Sequence, residues 1–540
     1  MNSRNGRRRT GASVGRTPSL DAGDRPLTSG TFIPFLAVGV ILVLAVAILA
    51  NSMTKEIARD EQMYCTAGAM LAQGKLIYRD FSYPSQLPYH PLLLAACYKV
   101  LGTTHYLLVG RLVSVVSDVL VVLVILQIYR SVFAPRRTEG SLFGLAAVAL
   151  YVFNPFVDYA AGYAWNHDVV TLCVVGALWL LMTADFAQRT CWRVGLIGVL
   201  LTAATCMRVT TLLVEALFLA AVLWMAAGSL KNRVRTALPF LAGALATLAW
   251  PAWVIAQAPE AFRLNLVRIP TLYGQWLHEI GMTFDKVTLT FEALSMPASL
   301  VLLVLGCGLL GVGLRRRSNL DAQERRKALA AIVLPLVFIV IAYIPPTMWL
   351  QYLAVPVPFI VIALAYPLVA ARRQASAQDL LKRVATFVLP AAAGVSILLD
   401  ALMGSAALSR CVFALVPEKW EPVRIHQVSR AMLEQVKEPK RVLTLGPLYA
   451  LEAGCEIYPE LSSGSIAYRI ADRMTAEERR ITHAVGPQTI DDMVSDRPAD
   501  AVIVGVELDK FSGLEDPLRR SVPLDWHGKS IEPLQAYWRP

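Results

Sequence analysis

The sequence predicts a polytopic α-helical membrane protein that carries a small α/β region outside the membrane. Three observations predict it. The 540-residue chain is 56% hydrophobic and only 17% charged, whereas a soluble chain of average composition carries about 25% charged residues. Its mean hydropathy is +0.51, and the apolar residues gather in runs close to the ~20 residues a helix needs to cross a bilayer. From about Arg424 onward charged residues become common and the apolar runs shrink. The net charge of +11 does not indicate a nucleic-acid partner. The basic residues form short clusters between apolar runs, which is the pattern of cytoplasmic loops and not of a continuous basic face.

In chain order, residues 1–30 are polar and contain Arg4, Arg7, Arg8, Arg9, Arg16 and Arg25, which reads as a disordered cytoplasmic tail. Phe32 to Met53 is the first apolar run; no convincing small-residue cleavage site follows it, so it is expected to be a retained helix. Ten further candidate spans lie at 105–129, 141–157, 168–184, 194–206, 209–229, 236–256, 291–314, 328–344, 352–371 and 384–403, giving about eleven in all. Basic clusters follow every second span: Arg130, Arg136 and Arg137; Arg189 and Arg193; Lys231, Arg233 and Arg235; Arg315 to Arg317 with Arg325, Arg326 and Lys327; and Arg372, Arg373, Lys382 and Arg383. Placing all of them in the cytoplasm satisfies the positive-inside rule. The stretch from Arg193 to Lys231 has basic flanks at both ends and must then cross an even number of times. Two short helices with their tip near Arg208 fit it.

The resulting domain scheme is a tail over 1–30, a transmembrane region over 31–403 and an extracytoplasmic α/β region over 404–540. The outer side receives segments 54–104, 158–167, 257–290 and 345–351 and the C-terminal region. In that last region Arg441–Gly446 and Ala499–Gly505 read as buried strands, and Thr475–Ala484 and Thr489–Val494 as short helices. The eight cysteines are scattered singly with no CxxC. Cys411 and Cys455 both fall on the oxidising side, which leaves a disulfide between them open. His90, His105, His167 and His278 also face outward, but no HxxxH or HExxH spacing occurs, so no metal or other cofactor is expected.

The outer stretch RDEQMYCTAGAMLAQGKLIYRDFSYPSQLPYHP, Arg59 to Pro91, concentrates ionisable and aromatic residues. Residues 60–73 suit a helix with Gly74 as its C-terminal cap, and Asp60 and Tyr64, four apart, share one face of it. Lys75 to Ser82 forms a polar loop. Pro88 and Pro91 begin a second helix that runs to about Leu101 and is too short to span, so an interfacial position is expected. Asp60 suits a helix N-terminus, where acids are favoured, and equally suits a general base at the membrane surface. Arg208 stands between two apolar segments, where insertion costs ~2.5–3.5 kcal/mol, which makes it a functional candidate or a side chain that snorkels to the interface. Asp158, Tyr163, Asn166, His167 and Asp168 form a second polar group, in which Tyr163 and Trp165 also suit interface anchors. Segment 257–290 mixes Arg263, Arg268, Tyr273, Trp276 and His278 with apolar residues, as either a cover over a site or a helix packed on lipid.

One span, an Asp-Glu pair at the start of a helix, a GKLIYRDF loop and a proline-rich start to a second helix occur in that order. The order resembles the GT-C class of polyprenyl-phosphate-sugar-dependent glycosyltransferases, and within it the bacterial glycosyltransferase family 39 group, which includes protein O-mannosyltransferases and the lipid A aminoarabinose transferase. The resemblance covers about residues 32–370. NPFVDYAAGYAWNHD supplies Asp168 at the start of the fourth span, where family members often carry an aspartate. WLQYLAVPVPF resembles the aromatic, proline-containing start of a late span, with Gln351 where many relatives have a basic residue.

The resemblance implies an inverting transfer of a sugar from a polyprenyl-phosphate donor to a cell-envelope acceptor, a glycolipid, lipopolysaccharide or glycan, at the outer face of a bacterial inner membrane. It implies Asp60 as base, with Glu61 orienting substrate or helix. Lys75, Arg79 and Arg208 would stabilise the leaving phosphate. Asp80, Tyr83, Asn166, His167, Asp168, Gln351 and Tyr352 are the further candidates for holding the donor's phosphate or sugar. The rival readings are a lipid-linked sugar flippase or transporter, a protein O-mannosyltransferase, and a polymerase or ligase of surface polysaccharide. A transporter would carry ionisable residues deep in several spans and often internal repeats, whereas here the polar residues gather at the outer ends.

Overall fold

A computed structural model describes residues 29–540, apart from Pro135, Ala227, Leu508 and segments 187–190, 283–284, 316–318, 346–347, 374–379 and 403–405. Nearly all of the 1–30 tail, together with Arg189, Arg316 and Arg317 of the basic clusters, lies outside the described residues.

Each of the apolar segments coincides with a helix. They are α1 (Ser29–Thr54), α4 (Tyr106–Val132), α5 (Arg137–Val152), α7 (His167–Thr183), α8 (Cys191–Thr205), α9 (Leu212–Met225), α10 (Leu230–Gln257), α13 (Lys286–Ser295) continued by α14 (Pro297–Arg315), α15 (Ala322–Tyr343), α16 (Val357–Ala363) with α17 (Ala365–Arg373), and α18 (Leu380–Leu402). Six of these helical stretches among the described residues are long and apolar enough to cross a membrane, and the chain is a multi-pass membrane protein. Between them, in the segments expected on the outer side, stand the short helices α2 (Arg59–Ala72), α3 (Tyr89–Leu101), α6 (Pro155–Ala160), α11 (Pro259–Arg263) and α12 (Ile269–Glu279). One large hydrophobic cluster joins α1, α4, α5, α7–α10 and α14–α18.

The break at Arg208 is where charge placement requires it. The helix α8 stops at Thr205, Arg208 starts a 3-10 turn over Val209–Thr211, and α9 follows. Glu215 of α9 accepts hydrogen bonds from Thr202 and Thr205 of α8, so the hairpin carries its own polar clasp.

The C-terminal region begins with α19 (Ala406–Arg410) and α20 (Glu421–Leu433). It continues with β1 (Arg441–Thr444), α21 (Pro447–Glu452), β2 (Glu456–Ile457), α22 (Ser465–Tyr468), α23 (Ala476–Thr482), α24 (Ile490–Asp496), β3 (Ala501–Val504), α25 (Asp516–Arg520), β4 (His527–Ile531) and β5 (Leu534–Trp538). The sheet order is β2-β1-β3-β5-β4, with β2, β1 and β3 parallel and β5 and β4 antiparallel. All of β3 is buried, and its residues alternate between two faces. Ala501 and Ile503 join a cluster with the outer helices α2 and α3, while Val502 and Val504 pack with Leu443, Leu445 and Tyr468 on the other side. No disulfide joins Cys411 to Cys455.

Candidate functional site

The site is built on the first turn of α2. Its sequence favours a helix, and both ends are closed as the residues suggest. Glu61 accepts from the Ala58 backbone N–H at 2.9 Å. At the other end Gly74 adopts φ +90, and the Lys75 N–H reaches back to the Met70 carbonyl at 3.1 Å. Successive helical residues point about 100° apart, so Asp60 and Glu61 separate.

Glu61 turns inward and is fully buried. Its carboxylate takes both Arg111 Nε at 2.9 Å and Nη2 at 2.8 Å, together with the Ala164 N–H at 2.7 Å. Arg111, also fully buried, spends its remaining donors on the carbonyls of Ser52, Lys55 and Glu56. Both Glu61 oxygens are thus committed to holding α1, α2, α4 and the second outer loop together. Glu61 lines neither cavity described below, and its contacts fix the start of α2 against α4 and the loop before α7.

Asp60 turns outward, half-buried, into a wall shared by two cavities. The smaller, about 210 Å³, is lined by Asp60, Tyr64, Gln86, Asn166, His167, Arg208, Gln351 and Tyr352. The larger, about 640 Å³, shares Asp60, Gln86, Trp165, Gln351 and Tyr352 with it and is also lined by Arg59, Tyr159, Tyr163, Tyr273, Trp349 and, from the C-terminal region, Ile466. Among the described residues the Asp60 carboxylate makes no hydrogen bond. Burial first, and the adjacent Glu61 carboxylate second, hold it above the ordinary carboxylate range, while the guanidinium groups of Arg59 and Arg208 oppose the rise. A carboxyl so placed is a proton acceptor tuned upward.

Arg208 reaches the smaller cavity from the tip of the α8–α9 hairpin. Its Nη2 donates to Asn166 Oδ1 at 3.1 Å, and Asn166 Nδ2 donates to Gln86 Oε1 at 3.0 Å and to the Met207 carbonyl at 2.8 Å. The guanidinium is therefore oriented by a chain of amides and still leaves donors for an anion. The loop that carries Asn166 is held from below. Lys55 donates to the Asp158 and Ala161 carbonyls, and the Gly162 N–H donates to Asp168 Oδ2 at 2.9 Å.

The structure thus brings Asp60, Arg208, Asn166, His167, Gln351 and Tyr352 together and leaves the other candidates elsewhere. Asp168 is buried beneath the loop it fixes and lines neither cavity. Tyr83 is buried behind Tyr64, edge to face at 6.0 Å. Lys75, Arg79 and Asp80 line neither cavity. Arg79 pairs with Asp80 through two 2.8 Å hydrogen bonds, Asp80 also accepts from the Leu76 N–H at 2.6 Å, and the Arg79 carbonyl meets His483 at 2.8 Å. That loop braces the C-terminal region instead of facing an anion. Arg79's hydrogen bonds, as the first cause, hold the Asp80 carboxyl below its ordinary range.

Several lining residues escape sequence reasoning. Gln86, Tyr159 and Trp349 were not singled out, although Tyr159 and Trp349 lie within the NPFVDYAAGYAWNHD and WLQYLAVPVPF stretches. Arg59 and Tyr64 were findable as neighbours of Asp60, one adjacent in sequence and one a helical turn further on, although Tyr64 is buried. Segment 257–290 does serve as a cover, since Ile269, Tyr273 and Leu277 of α12 line the larger cavity while the helix packs against Ala467, Ile470 and Met474. No group of three or more metal-ligating side chains converges on either cavity among the described residues; the one such group lies elsewhere.

No protein-family model and no curated protein matches the chain. Solved structures do. ArnT from Cupriavidus metallidurans bound to undecaprenyl phosphate superposes with a TM-score of 0.58 at 14% identity, over 94% of this chain and 98% of that one. The apo state of the same protein gives 0.58 and 14%, over 93% and 97%. ArnT is a lipid A aminoarabinose transferase and a GT-C glycosyltransferase. This chain has the polytopic membrane GT-C fold that ArnT has.

Proposed function

We propose that the chain is an inverting glycosyltransferase. It moves a sugar from a polyprenyl-phosphate donor to a cell-envelope acceptor, a glycolipid, lipopolysaccharide or glycan. The reaction takes place at the outer face of the bacterial inner membrane, with the N-terminus cytoplasmic and residues 404–540 periplasmic. The observation that carries the reading is the pairing of an unengaged carboxylate, Asp60, with an oriented guanidinium, Arg208, in one cavity wall. Charge placement along the chain supports an outer position for this wall.

In this reading an acceptor hydroxyl in the larger cavity attacks the anomeric carbon. Its proton passes to Asp60, the new C–O bond forms, and the bond between the anomeric carbon and the phosphate oxygen breaks on the opposite face of the sugar. The electron pair leaves with polyprenyl phosphate. Arg208 meets the charge that develops on that phosphate. The rings of Tyr159, Trp165, Tyr273 and Trp349 supply flat apolar faces on which a sugar can rest. An almost wholly apolar cavity of about 370 Å³ between α14, α15 and α16, lined by Leu302, Leu336, Ile339 and Leu364 among others, suits the first isoprene units of the donor.

Asp60→Asn is expected to abolish transfer in membranes supplied with a lipid-phosphate sugar, while the protein still folds and inserts. Full activity of that variant would remove Asp60 from the role of base. Mass spectrometry of envelope glycolipids with and without the protein identifies donor and acceptor together, as a mass difference of one sugar residue. Unchanged glycolipids with altered uptake would favour the transport reading instead.

A further inference from the structure

Away from the Asp60 cavities, a cluster of three ligand-type side chains joins the membrane-spanning helices to the C-terminal region. His105 is the residue before α4, His426 lies on α20, and Glu452 ends α21. One nitrogen or oxygen from each lies within 4.8 Å of the others. The two imidazoles are stacked, with centroids 3.5 Å and planes 24° apart. Glu452 is 1% exposed. Its Oε1 accepts from the Leu107 N–H at 2.8 Å and its Oε2 lies 2.6 Å from His426 Nδ1. No lysine or arginine pairs with it among the described residues. His105 Nδ1 is buried without a hydrogen-bond partner.

A carboxylate taken out of water needs a compensating cation, and Glu452 has the Leu107 N–H and the His426 imidazole, not a lysine or arginine, against its oxygens among the described residues. A buried imidazole nitrogen without a partner likewise loses its hydration for nothing. A divalent cation between them answers both needs. We propose that His105, His426 and Glu452 form a structural zinc site that clamps the C-terminal region onto the start of α4. Two imidazoles and one carboxylate suit zinc better than the oxygen-seeking magnesium or calcium. Zinc–nitrogen and zinc–oxygen bonds of about 2.0–2.2 Å place tetrahedral ligand atoms roughly 3.3 Å apart. The cluster closes to that size by turning the rings out of their stack, the His426 Nδ1 proton passes to solvent, and water takes the fourth position. None of the three residues lines the Asp60 cavities, so the site stands independently of the proposed transfer chemistry.

The test uses tag-free, full-length protein in detergent, stripped with EDTA, incubated with zinc chloride and dialysed. Elemental analysis is expected to find about one zinc retained per chain, with a rise in the unfolding temperature. His105→Asn, which keeps a residue suited to start a helix, and Glu452→Gln are expected to lose both the zinc and the rise, whereas His278→Ala, at an exposed position, keeps both. Cobalt(II) chloride supplies a second readout on the wild-type protein alone, as visible absorption bands that zinc displaces. Stripped wild-type protein that takes up neither metal would overturn the proposal. So would a folded His105→Asn variant that retains a full equivalent of zinc.

Discussion

A carboxyl group accepts a proton only while it is ionised, so the environment of Asp60 sets the pH at which the proposed chemistry can run. Its folded-state pKa is raised above the ordinary 3.8, and the base form disappears as pH falls through that raised value. The acid limb of kcat/KM is therefore expected above the range of a free aspartate. Arg208 pulls the value down, so Arg208→Gln should move the limb to higher pH, apart from any loss of donor affinity; a limb that stays in place would separate the two groups. The neighbouring Glu61 behaves otherwise. Removing one partner of a fully buried ion pair costs about 3–5 kcal/mol, so Glu61→Gln is expected to lower the unfolding temperature sharply, and the double change Glu61→Gln with Arg111→Met to cost less than the sum of the singles. At this scale the sequence was legible where a residue was out of place for its surroundings, as with Arg208. The same insertion-cost argument applies to Arg111 inside the second apolar run and would have found Glu61's partner. Lys75 and Arg79 line neither cavity because closeness in sequence to Asp60 is not closeness in space; across α2 and its capping glycine the chain has already turned away.

Among the elements, two of the outer-loop glycines make contrasting tests. Gly162 has φ +86, and a Cβ there would meet the Ser52 backbone at 2.9 Å. Gly162→Ala is expected to cost more than the ~1–2 kcal/mol of a left-handed backbone alone and to reduce transfer, because this loop delivers Asn166 and His167 to the cavity. Gly74, at φ +90 with open space around it, should show only the backbone cost, with transfer retained. Thermal unfolding and transfer assays on both variants check the pair. The helices α2, α3, α8 and α9 were legible because charge, proline and glycine mark their ends. The 291–314 segment splits at Pro297 into α13 and α14, and 352–371 opens with a 3-10 turn over Leu350–Leu353, since proline interrupts what hydropathy alone joins. The strands β2 and β4 escaped for a different reason. One has only two residues, and the other, HGKSI, is almost wholly exposed, so neither carries a buried alternation.

At the scale of the whole molecule, the membrane-spanning and C-terminal regions are legible as separate compositions but share packing. One hydrophobic cluster contains Tyr64, Met70 and Leu94 from the outer loop with Leu448, Ile503 and Trp538 from the C-terminal region. Gln62 accepts from the Leu448 N–H at 3.0 Å, and Arg473 and Arg268 pair with Glu279 and Glu478 across the same junction. Such contacts join residues hundreds of positions apart, and no local pattern announces them. The wall that Asp60 shares between two cavities also bears on the kinetics of the proposed transfer. A direct displacement with Asp60 as base needs donor and acceptor bound together, with no covalent half-reaction between them. Initial-rate plots at several fixed acceptor levels should therefore intersect instead of running parallel. The spent lipid carrier, lodged on its own side, should compete with fresh donor without competing with acceptor.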